Sequence, residues 1–214
     1  MRVVASALAA LLLAACSTTQ LVHDRVNANW RGDALERVAV VVIANQPRVR
    51  GALENALVED LQAAGADTFA VHTMMMDVPE TLKARKAALK ALVEKQGADG
   101  VLVLSLVGVD TQRQYVGAQM APVEVITGVG PAATPYWGYG GYYHRHYEYV
   151  YVPGYEEVTQ DYRLDASLFA VGQETPVWQG ETSTVDPASL DEGIAGVASR
   201  VSSALVRHKL VASD

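Results

Sequence analysis

Few residues of this chain are of types and spacings that could do chemistry. It has one cysteine, Cys16. His144, His146 and Glu148 alternate, so in an extended segment they share one face and offer two imidazoles and a carboxylate to a metal ion. No distant fourth ligand can be named, because His23, His72 and His208 are scattered without a pattern. Met74-Met75-Met76 could present thioethers to a soft ion such as copper(I), but three adjacent residues do not converge on one point, which favours packing. Ser105 sits inside an apolar run and lacks the glycine frame of a nucleophile elbow. No Walker loop and no zinc-protease histidine pair is present. The stretch 128–133 matches a relaxed dinucleotide fingerprint by letters, yet Pro131, Pro135 and the nearby glycines forbid the helix that must follow it. No carboxylates form an acid–base pair, so the sequence points to no catalytic residue and no cofactor, and the expectation is a protein that is not an enzyme.

The setting of Cys16 is more specific. Arg2 gives a positive start, and residues 3–13 are small or apolar with Ser6 the only polar member. Ala14 and Ala15 then precede the cysteine, which makes residues 1–15 a secretory signal peptide. The run is too short to span a bilayer, which takes about 20 residues. Leu13-Ala14-Ala15-Cys16 resembles the lipobox of bacterial lipoproteins. That resemblance implies a diacylglyceryl group on the Cys16 thiol, cleavage just before it, and acylation of its amino group. Each buried methylene adds about 0.8 kcal/mol, so two or three long chains hold a domain on a membrane essentially permanently. In the same family an Asp after the cysteine signals inner-membrane retention. Ser17 there implies the outer membrane, with the domain on its periplasmic face.

Composition sets outer bounds. The chain has 214 residues, half of them hydrophobic, which is enough for a sizeable core and too apolar for a disordered chain. One cysteine excludes a disulfide scaffold. A formal charge of −7 without a long basic run argues against a nucleic-acid partner.

The body of the chain alternates. Polar Ser17 to Gln20 open a lipid-anchored tether expected over 16–34, with Leu21–Trp30 a loose strand or coil. Residues 38–43 are a β-branched run fit for a strand buried on both faces. Pro47 can open a helix whose stripe is Val49, Leu53, Leu57 and Leu61, closed by Gly65. A short strand at 68–71 precedes a second helix over 79–96, with Leu82, Leu89, Leu92 and Val93 inward and Gly97 as its stop. Its other face carries Lys83, Arg85, Lys86 and Lys90, either a solvated face or one that meets anionic headgroups. Residues 100–107 form another buried strand, less apolar toward Val116. Alternation over 162–170 and a return at 177–179 predict an antiparallel hairpin, and a last helix starts near Ser189 with Leu190, Ile194, Val197, Val201 and Leu205 inward. The expected fold class is α/β, a mixed sheet with three main helices in the order β-α-β-α-β-β-β-β-α, covered mainly on one face, forming a single layered periplasmic domain over 35–212.

This order, with Arg37-Val38-Ala39-Val40, Gly97 to Val103 and the Val177-Trp178 hairpin, resembles the periplasmic α/β domains of curli-channel and Tol-type envelope lipoproteins. The resemblance implies a non-catalytic assembly, transport-accessory or binding role, and carries over no site residue. Within the domain, 129–155 reads as a Tyr/Gly-rich insertion: eight of the ten tyrosines fall between Tyr136 and Tyr155. Three uses stay open for it: a hairpin or loop that covers the sheet, a contact surface for another envelope protein or for a second copy, or the metal site of His144, His146 and Glu148.

Overall fold

The computed structural model describes residues 18–75, 81–127, 144–173 and 175–212. Cys16 and the signal segment, Pro79, Met76, and the glycine- and proline-rich stretch 128–143 lie outside the described residues. The described residues cluster into two compact units, those within 1–110 and 160–214 and those within 111–159.

The first unit is an α/β layer structure. Its six-stranded mixed sheet contains β1 (Thr19–Val26), β2 (Arg37–Ile43), β3 (Asp67–Ala70), β4 (Gly100–Val116), β7 (Tyr155–Ala170) and β8 (Trp178–Val185), in the spatial order β1-β8-β7-β4-β2-β3. Strands β4 and β7 run on into the second unit. One half is parallel: β2 pairs with β3 from Arg37↔Asp67 and with β4 from Val38↔Gly100 to Ile43↔Ser105. The other half is antiparallel, with β8 between β7 and β1.

Helices α1 (Pro47–Ala63) and α3 (Leu190–Arg207) cover one face and α2 (Leu82–Gln96) part of the other. The larger core joins Leu53, Leu57 and Leu61 of α1 and Val197, Val201 and Leu205 of α3 to Val38, Val40, Leu102, Leu104, Leu168 and Trp178 of the sheet. The smaller core sets Val93 and its neighbours on α2 against Ala39, Phe69 and Val101. Both β2 faces are therefore covered, as its unbroken apolar run requires.

Local signals explain the helix ends. The Thr81 side chain accepts from Ala84 N–H at 3.2 Å and caps α2, so the helix starts at Leu82 rather than at 79. Gly97 ends it in the left-handed region at φ 65°, where a Cβ would be strained. Ser189 caps α3 with Glu192 reaching back, its carboxylate accepting from Ala188 N–H at 2.7 Å. Leu190, expected inward, is instead 51% exposed, at the first helical position beside the Ser189 cap.

Two strands depart from the expected order. β1 occupies much of the stretch expected as tether and closes the sheet edge against β8, from Thr19↔Thr184 to Val26↔Trp178. The second unit contains β5 (Gln119–Thr127), paired antiparallel with β6 (His144–Val152) from Gln119↔Val152 to Thr127↔His144. Pro122 hides β5 from a pattern search; proline removes a ladder donor and is tolerated in a strand with a free edge.

Candidate functional site

The residues expected to carry chemistry are not gathered into one centre. His144, His146 and Glu148 all fall in β6, at register positions opposite Thr127, Val125 and Val123 of β5. Among the described residues, no group of three or more His, Cys, Asp or Glu could hold a metal ion. His23, His72 and His208 lie on separate elements of the first unit.

Each of those histidines meets a carboxylate: His23 Nε2 lies 3.5 Å from Glu181 at the surface, and His72 and His208 join networks around Glu54 and Asp24 that sequence spacing did not mark. Glu54, in the middle of α1, is almost fully buried. Its Oε1 accepts from Val42 N–H at 3.0 Å, and its Oε2 accepts from His72 N–H at 2.6 Å and lies 2.8 Å from His72 Nδ1. One carboxylate thus ties α1 to β2 and to the turn after β3. The available signal was positional: Glu54 stands among Leu53, Leu57 and Leu61 on the inward stripe, where a charged group has to find partners.

Asp24, on β1, collects a second set of donors. Its Oδ1 accepts from Trp178 Nε1 at 2.7 Å, its Oδ2 accepts from Arg207 at 2.5 Å, and His208 Nε2 stands 2.9 Å from both oxygens. Partial burial pushes the Asp24 carboxyl upward, but the hydrogen bonds from Trp178, His208 and Arg207 and the charge of His208 outweigh it, so its pKa lies below the ordinary value. The cluster fastens β1 to β8 and to the end of α3. No sequence spacing announces it, since its members are up to 184 positions apart.

Neither cluster has the parts of a catalytic centre. Each carboxylate spends its oxygens on donors that hold secondary structure, and neither faces a nucleophile or a second titrating carboxylate. A groove of about 260 Å³ runs between α2 and the end of β7. Leu89, Val93, Val101 and Phe169 floor it, and Lys86 and Lys90 stand at its side. It is an apolar trough whose rim also carries Glu94, ion-paired with Lys90 at 3.8 Å, and Gln173.

The second unit carries large exposed side chains. Tyr115, Tyr151 and Tyr155 are exposed, as are Met120 and Val150. Tyrosine gives large contact area with few rotatable bonds, so such a unit suits contact with another macromolecule better than small-molecule chemistry.

No family model and no curated protein matches the chain. Among solved structures, the PelC dodecamer from Paraburkholderia phytofirmans aligns over 87% of this chain and 96% of its own, at 15% identity and a TM-score of 0.45. A single-substitution form of the same protein gives 16% identity, 87% and 97% coverage, and a TM-score of 0.42. A PDZ domain protein from Parabacteroides distasonis aligns over 92% of this chain and 38% of its own, at 10% identity and a TM-score of 0.35. At these TM-scores the likenesses fix no family. No described helix is long and apolar enough to cross a membrane.

Proposed function

We propose that this chain is a lipid-anchored lipoprotein of the cell envelope, held by acylated Cys16 on the periplasmic face of the outer membrane, with a non-catalytic role in assembly, transport or binding. The observation that carries the reading is the lipobox Leu13-Ala14-Ala15-Cys16 three residues ahead of Thr19, the fully buried first residue of β1. The unit 111–159 holds nine of the ten tyrosines and supplies the contact surface for its partner, another envelope protein or a second copy of this chain.

The test replaces Tyr151 and Tyr155 together by serine in the full chain and compares the proteins that co-purify from detergent-solubilised envelopes. Loss of a stoichiometric partner, or of self-association, is the expected result. An unchanged partner set would remove the contact role from this unit.

A further inference from the structure

Strand directions place the beginning of β1 at one end of the first unit. β1 runs antiparallel to β8, and β8 antiparallel to β7. Val171 N–H donates to Asp99 O at 2.7 Å while Arg163 pairs with Asp110, so β7 and β4 are also antiparallel. β2 lies parallel to β4. The end where β1 begins is therefore also where β2 and β8 finish, where β4 passes from Leu106 to Asp110, and where α1 and α3 make their first turns.

That end is the apolar one. Ile43, Leu106, Val107, Val109, Val185 and Leu190 stand there, between 42% and 61% exposed. At the opposite end of the sheet, Val171 is the only strongly exposed large apolar residue among those described in this unit. Exposed apolar groups gathered in one region mark a surface that another phase or molecule covers.

Chain length says what covers it. Thr19 is fully buried, its Oγ1 2.9 Å from Thr184 Oγ1 and its carbonyl accepting from Arg200 Nε at 3.0 Å, so the fold grips the chain from that residue on. Cys16 is three residues earlier, which at about 3.8 Å per Cα step allows a lead of no more than about 11 Å. An acyl chain at Cys16 therefore enters the bilayer within about 11 Å of Thr19, at the end of the sheet where those apolar residues stand. The first turn of α1 adds Arg48 and Arg50 without an acidic residue, cations at a helix N-terminus where the macrodipole disfavours them. Arg48 is exposed there and open to an anionic headgroup.

We propose that this end of the first unit is a bilayer-contact surface, with Ile43, Leu106, Val107 and Leu190 resting in the headgroup layer of the membrane that holds Cys16. The proposal rests on the lipoprotein reading and adds an orientation to it: the opposite end, with Val171 and the α2 groove, points away from the lipid.

The test uses the full chain, matured in a bacterial envelope and reconstituted into phosphatidylethanolamine–phosphatidylglycerol vesicles. Because acylated Cys16 has no free thiol, Val107→Cys, Leu190→Cys and the control Val171→Cys each provide one attachment point for an environment-sensitive fluorophore. Lipids bearing a quencher near the headgroup should quench the probes at 107 and 190 roughly threefold or more above the probe at 171. Equal quenching at all three positions, in protein that floats with the vesicles, would overturn the orientation and leave the anchor standing. Blue-shifted but unquenched probes at 107 and 190 would mean that protein covers this end, and would also overturn it. Protein that does not float with the vesicles would overturn anchor and orientation together.

Discussion

The two halves of the six-stranded sheet are secured in different ways. In the parallel half, β2, β3 and β4 carry apolar side chains on both faces, and one buried carboxylate, Glu54, locks α1 to β2 and to the turn after β3. Those partners are at most 18 positions apart. In the antiparallel half, buried threonines at 19, 182 and 184 take the place of β-branched aliphatics, and Asp24 joins a strand at one end of the chain to a helix at the other. The Glu54 lock joins neighbours in sequence, whereas the Asp24 cluster joins residues up to 184 positions apart. β1 therefore enters the sheet through polar contacts that reach across almost the whole chain.

Substitutions can widen or collapse that difference. The largest effect is expected for Glu54→Ala, which leaves Val42 N–H and His72 N–H without their acceptor inside the core. It should cost about 3 kcal/mol in denaturant unfolding, from a lost buried charged acceptor. A cost near zero would mean that the lock is idle.

Asp24→Ala comes next, at about 2 kcal/mol for its charged hydrogen bonds. The effect should depend on pH. A carboxyl whose folded pKa is lowered contributes stability that is fully present above its unfolded value and is lost as pH falls through the folded value. The gap between wild type and Asp24→Ala should thus be widest near neutrality and close below about pH 4, the ordinary carboxylate range. A gap that does not change with pH would contradict the assignment. Amide exchange should show β1 loosening in this variant while β2 stays protected, which is the sharpest form of the comparison.

Smaller again is Ser189→Ala, which removes the cap on α3 and should cost about 1 kcal/mol in thermal unfolding.

The parallel half was legible in sequence because each of its elements carries a local signal. Continuous runs at Val38–Ile43 and Gly100–Leu104, the four-residue stripe of α1 and the glycine stop at Gly97 are local patterns, and the structure places strand, helix and cap on them. The stripe of α3 was equally readable except at Leu190, which is exposed in the first turn. β1 was not legible as a sheet member, because an edge strand of Thr, Gln, His, Asp and Arg has no inward pattern until its partner β8 is known. The Glu54 and Asp24 clusters were hidden for a related reason: a buried carboxylate is recognised by its donors, and backbone N–H groups leave no mark on sequence. The chemistry-bearing residues noted first, His144, His146 and Glu148, share β6 by simple alternation, and no pattern in the sequence supplies a fourth ligand.

The central claim is the acyl anchor, and fractionation of cells expressing the full chain beside its Cys16→Ser variant tests it most directly. The native chain should partition with the outer membrane and carry the mass of acyl groups on Cys16, while the variant should lose that mass and leave the membrane fraction. Equal membrane partition of both chains, or a native product with an unmodified Cys16, would contradict it.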